Sequence, residues 1–129
     1  MVLEEEITKR LKRVVSDLAD IVVFESQRRV SVDTGELKGS VEIEYPSEFE
    51  AIVRYDSPSA VWIEYGTEPH MPPVEPLERW ARRHGMEGAG WAIAMKIKKE
   101  GVDEKPFLRP AVDIARARAP GVVQIHLNK

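Results

Sequence analysis

From Leu3 onward the apolar positions fall at Leu3, Ile7, Leu11, Val14, Val15, Leu18, Ile21 and Val22. The steps are of three and four, which makes one stripe at the helical period. This spacing predicts a long amphipathic helix running to about Val30, roughly 40 Å at 1.5 Å per residue. Glu5 with Lys9 and Glu6 with Arg10 are favourably oriented i,i+4 pairs on its wet side. A helix of that length is at least as long as a domain of this size is wide, so one sheet cannot cover it all. Val23 and Phe24 point off the stripe. The second half of the helix therefore has apolar surface on more than one side, to be wrapped by its own loops or, the reading favoured here, by a neighbouring subunit.

Past Asp33-Thr34-Gly35 the period changes to two: Leu37, Val41, Ile43 and Tyr45 alternate with Lys38, Ser40, Glu42 and Glu44. That pattern predicts a strand with one dry face, and Pro46-Ser47-Glu48 then turns the chain. Ala51, Val53 and Tyr55 alternate with Ile52, Arg54 and Asp56, giving an antiparallel partner on which the long helix packs. Ser57 before Pro58 reads as an N-cap and an N1 proline, and Gly66 suits the C-terminal side of a short helix over residues 60–65.

Four prolines between Pro69 and Pro76 predict a stiff, extended loop carrying His70 and Met71. Two short helices follow. Leu77, Trp80, Ala81 and His84 share a face before Gly85, and Gly90, Ile93, Ala94 and Ile97 share one before Gly101. Trp80 and Trp91 are placed on or near these apolar faces, hence in the core. A last helix is expected over residues 109–119, ended by Pro120-Gly121, with residues 122–127 as a terminal strand. The pattern describes one α+β domain over residues 1–129: a long N-terminal helix packed on an antiparallel sheet, with a C-terminal helix and strand.

Composition narrows the possible functions. The 129 residues carry a formal net charge of −3 and no cysteine, which excludes disulfides, thiolate metal sites and a thiol nucleophile. No apolar run reaches the roughly 18 residues of a membrane span, and Glu4-Glu5-Glu6 is acidic where a signal peptide is basic. A soluble, cytosolic origin is expected. Charged residues at 32 %, with one asparagine and two glutamines, follow the drift of thermophile proteins.

Asp33-Thr34-Gly35 spells the aspartic-protease tripeptide, but a long helix precedes it and Glu36-Leu37-Lys38 follows, where that chemistry requires apolar strands and two carboxylates sharing a proton. A helix-to-strand turn with glycine at positive φ is the better reading. His70, His84 and His126 have no ligand spacing, and no nucleophile elbow or phosphate cradle is present. No catalytic residue, metal or cofactor is expected. The basic helices from Arg79 to Lys99, with Arg82, Arg83, Lys96 and Lys98, are the alternative: a small nucleic-acid-binding module. Solvated charge opposite apolar faces explains them more simply.

Three ordered segments carry a resemblance. They are Val32-Asp33-Thr34-Gly35-Glu36-Leu37-Lys38-Gly39-Ser40, Trp62-Ile63-Glu64-Tyr65-Gly66-Thr67 and Pro106-Phe107-Leu108-Arg109-Pro110-Ala111. Together they resemble the tailed-phage minor tail proteins that include head-tail joining and tail-completion proteins. Residues 74–101 resemble a helical insertion in that family, whereas residues 122–127 match nothing in it.

The resemblance implies a structural protein of a phage or provirus without catalysis. It would assemble in the host cytoplasm into a ring, commonly six-fold, between connector and tail tube in the virion. Gly35 and Gly66 would hold turns, Phe107 and Leu108 would pin an extended segment to the core, and Trp62 and Tyr65 would pack the short helix. A ring needs two different surfaces per subunit. Val23 and Phe24 are candidates for one, and for the other Met71 in the proline-rich loop or Val123 and Ile125 on the terminal strand, where main-chain pairing with a neighbour is expected.

Overall fold

A computed structural model of the chain describes residues 2–30, 35–57 and 59–128. In chain order the elements are α1 (Val2–Gln27), α2 (Gly35–Gly39), β1 (Val41–Ser47), β2 (Glu50–Tyr55), α3 (Ala60–Tyr65), α4 (Val74–Arg83), α5 (Gly90–Glu100) and α6 (Leu108–Leu127). The class is α+β, with α1 packed against α6 and the sheet. Two compact units divide the chain: Met1–Ser57 with Pro106–Lys129, and Pro58–Lys105 between them in sequence.

In the first unit α1 follows the apolar stripe and ends at Gln27, where the amides of Arg29 and Val30 both turn back to the Ser26 carbonyl. The expected end at Val30 is therefore three residues too far. Val30 itself is buried beyond the last helical turn. Leu37, expected on a strand, is buried in α2 instead. Leu37 and Val41 are four apart, a spacing that suits either period, and the helical alternative is closed by Ser40, whose amide and Oγ both donate to the Leu37 carbonyl at 3.1 and 2.7 Å. Gly35 opens α2, while Asp33 and Thr34 of the tripeptide, like Pro58, lie outside the described residues.

β1 and β2 pair antiparallel, with Val41 opposite Tyr55 and Ile43 opposite Val53. Between Glu44 and Ser47 the register shifts. Two residues of β1 oppose one of β2, a bulge that accommodates Pro46, which has no amide to give to a ladder. The hairpin meets α1 mainly through β2. Ile43 and Tyr45 are accordingly exposed, so β1 lacks the dry face expected of it.

The terminal strand is absent. Residues 122–127 continue α6 straight through Pro120. Proline removes one i→i−4 bond, but packing along α1 outweighs that loss. Arg10 Nη1 donates to the carbonyls of His126 and Leu127 at 3.4 and 3.3 Å, and His126 Nε2 lies 2.5 Å from Asp17 Oδ2. Val122, Val123 and His126 also satisfy steps of one, three and four, so the β-branched pair that mimics a strand serves a helix face.

The second unit is built from α3, α4 and α5. α4 begins at Val74, earlier than the proline pattern implied, because Pro76 falls in its first turn, where no amide partner exists. The α3 cap is Ser59, not Ser57, and it makes no side-chain capping bond. Thr67 and Val102 form an isolated antiparallel bridge, with amide-to-carbonyl distances of 2.8 and 3.1 Å. Glycines flank it: Gly66 at φ 68° and Gly101 at φ 73°, both left-handed. A Cβ on Gly66 would meet the Val102 carbonyl at 2.7 Å, and one on Gly101 would run into the Thr67 carbonyl. Only glycine allows this close approach.

Candidate functional site

The first unit holds an apolar groove of about 370 Å³. Its floor is the α1 stripe at Val15, Leu18, Ala19 and Val22; one wall is the hairpin at Phe49, Ala51 and Val53, the other α6 at Leu108 and Val112. Phe49 is 53 % exposed and Val112 37 %, so the groove is open to solvent. Its existence follows from the length mismatch: a two-stranded sheet and one helix leave part of a 26-residue stripe uncovered. Sequence reasoning anticipated uncovered surface but sought it off the stripe.

Beside the groove a buried polar cluster fixes the end of α1. Gln27 Nε2 donates to the Tyr55 hydroxyl at 2.9 Å and to the Lys38 carbonyl at 2.8 Å. Since the amide nitrogen is donor only, Tyr55 is left to donate to Ser26 Oγ at 2.6 Å, and Ser26 donates onward to the Val23 carbonyl at 3.1 Å. Tyr55 also stands edge-on to Phe107, with centroids 4.9 Å apart. Glu25, 2 % exposed, faces Arg29 at 2.8 Å, Arg28 at 3.4 Å and Arg118 at 3.5 Å. The hydrogen bond from Arg29 holds its carboxyl below the ordinary value; burial opposes this, and the charges of Arg28, Arg29 and Arg118 reinforce it. This reads as a structural anchor, a charge compensated on three sides.

In the second unit α4 and α5 meet through small residues. Ala81, Ala94 and Gly90 are buried, and a Cβ on Gly90 would lie 2.6 Å from the Glu78 backbone. The Glu78 carboxylate accepts from the amides of Gly88 and Gly90 at 2.9 and 3.1 Å, capping the start of α5. Those two bonds lower its pKa, against burial and with help from Arg82. Trp80 stacks on His84 at 4.2 Å. Trp91, expected in the core, is instead 59 % exposed, with Met95 one turn on at 39 %. The face of α5 that carries Gly90, Ala94 and Ile97 is the buried one. Trp91 and Met95 stand off it as a separate apolar face.

The sequence-based site residues fall in both units. Of the interface candidates, Phe24 is 63 % exposed with the Arg28 guanidinium 5.8 Å above its ring, Met71 and Ile125 are exposed, and Val23 and Val123 are half-buried. Val123 and Ile125 lie on a helix, which withdraws the main-chain pairing expected of them.

The motif residues act in packing and turns. Leu37 and Phe107 are each 1 % exposed, Leu108 lines the groove, Pro110 is half-buried and Pro106 exposed. Trp62 is half-buried and edge-on to His70 at 5.9 Å. Tyr65, expected to pack α3, is 60 % exposed, and its neighbour Glu64 is buried in its place. Among the basic residues, Arg79 pairs with Glu75 at 2.8 Å, so acidic side chains interleave with the cationic ones on α4.

Among the described residues, no group of three or more His, Asp or Glu side chains is placed to hold a metal ion, and no helix is long and apolar enough to cross a membrane. A second depression, of about 340 Å³ at the Thr67–Val102 bridge, is open and polar, lined in part by Glu68, Asp103 and Glu104. No family model, curated protein or solved structure matches the chain.

Proposed function

We propose that this chain is a structural protein of a tailed phage or provirus, acting in head-tail joining or tail completion. It works without catalysis, by assembling with copies of itself, in a ring that in the family it resembles is commonly six-fold, and by contacting connector and tail-tube proteins. The observation that carries the reading is the ordered set of three motifs resembling minor tail proteins. Several of their described residues are spent on turns, close approaches or buried packing, as the 1 % exposure of Leu37 and Phe107 illustrates. Large apolar side chains left in solvent, Phe24, Phe49 and Trp91 among them, support association as the mode of action.

Electron microscopy of purified particles labelled with an antibody against this chain tests the assignment. Label at the junction of head and tail is the expected result. Particles that carry none of the chain, from a host that expresses it, contradict it.

A further inference from the structure

We propose that the arginine-rich end of α1 in one copy, at Phe24, Arg28 and Arg118, docks on the outer face of the hairpin in a second copy, at Glu42, Glu50 and Ile52. The inference rests on the self-assembly reading above and names the two unlike surfaces that reading requires. At the end of α1 three guanidinium groups meet one carboxylate. Glu25 is enclosed by Arg28, Arg29 and Arg118, so it offsets one of their charges and leaves two in surplus. Among the described residues Arg28 and Arg118 pair with no other carboxylate, and their side chains are 61 % and 56 % exposed. The surplus therefore faces solvent. Phe24 is exposed beside it, under the Arg28 guanidinium.

The hairpin carries the converse. Ala51 and Val53 line the groove on α1, so Glu50, Ile52 and Arg54, which alternate with them, point away from it. The register brings Glu42 opposite Arg54 and Glu44 opposite Ile52, onto the same outer face. Arg54 is spent on Glu44 at 2.9 Å. Glu42 and Glu50 are exposed and, among the described residues, have no cationic partner. Ile52 is exposed between them. Each surface is thus an apolar side chain bordered by two uncompensated charges, cationic on α1 and anionic on the hairpin. Such complementarity steers encounter and fixes orientation. It also opposes either surface meeting its own counterpart, because like charges would face each other. A contact between unlike surfaces propagates from copy to copy, closing into a ring if the rotation allows.

Light scattering on the full chain, across protein and salt concentration, tests this. The wild-type chain is expected to associate, more weakly as salt screens the exposed charges. Glu42→Arg, Glu50→Arg and Phe24→Glu should each raise the dissociation constant about tenfold or more, because each sets like charges face to face. Glu87→Arg, at an exposed position of the second unit, makes the same change of net charge as the hairpin variants and should leave the constant unchanged. Mixing Phe24→Glu with Glu42→Arg in equal amounts should restore association, since each supplies the surface the other lacks. Circular dichroism checks that the variants keep their helices; Arg118→Gln replaces Phe24→Glu if it does not. A wild-type chain that stays monomeric overturns both this contact and the self-assembly reading. Association that ignores salt, that survives the hairpin or the α1 variants, or that Glu87→Arg weakens equally, overturns this contact alone, as do mixed variants that ignore each other.

Discussion

The two units are held together in opposite ways. The first is stabilised by large buried side chains: Phe107 against Tyr55, Leu37 within α2, and Glu25 enclosed by three arginines. The second is stabilised by smallness, with Ala81, Ala94 and Gly90 between α4 and α5 and two left-handed glycines at the Thr67–Val102 bridge. A unit built on bulk is damaged by deletion. One built on close approach is damaged by addition. The contrast also explains what each leaves unpartnered. Long elements around a short sheet leave a groove, whereas tightly apposed short helices press their large residues outward, as at Trp91.

The largest effect expected is from Phe107→Ala. Removing a side chain that is 1 % exposed should cost about 3–5 kcal/mol, read as a lower midpoint in urea unfolding followed by far-ultraviolet dichroism. A loss under about 1 kcal/mol would mean that the first unit is not organised around this ring. Next is Gly101→Ala. Left-handed backbone alone costs an alanine roughly 1–2 kcal/mol, and the clash with the Thr67 carbonyl adds to it. All three tryptophans lie within Pro58–Lys105, so their fluorescence should report the damage selectively.

Gly90→Val sharpens the comparison further. Overpacking against Glu78 is expected to cost about 1–3 kcal/mol, again in the tryptophan signal, where the same enlargement at the open position Gly121 should not register there.

A smaller effect lies in the pH dependence of the first unit. The Glu25 carboxyl titrates below its ordinary value of 4.5 in the folded chain, so the unfolded chain binds protons first as pH falls. The stabilisation by its arginines is thus complete above about pH 4.5 and is lost as pH drops through the folded value. Glu25→Gln should flatten that acid dependence while lowering stability at neutral pH. An unchanged acid slope in this variant would show that the enclosure by arginines contributes nothing. Smallest of all, Trp91→Ala should shift monomer stability by no more than about 0.5 kcal/mol, as for a surface position. A large loss would put Trp91 back in a core.

Much of the fold was legible because helical periods are long and redundant. The α1 stripe, the α4 and α5 faces, and the stops at Gly85 and Gly101 all follow from spacing. Failures occurred where few residues had to decide between periods. Leu37 to Val41 fits both, and the valine pair at 122–123 fits a strand until Arg10 and Asp17, more than a hundred residues away in sequence, are seen to hold it as helix. The groove was half legible: helix length against sheet width announces uncovered surface, but its location depends on the hairpin meeting α1 mainly through β2. Exposure of Trp91 had a signal in Gly90. A glycine one position earlier takes the contact with α4, and the tryptophan is turned aside from it.

Sedimentation velocity of the full chain across concentration tests the central claim, action by self-assembly, most directly. The chain is expected to associate, and more completely as concentration rises. A chain that stays monomeric at every concentration would contradict it.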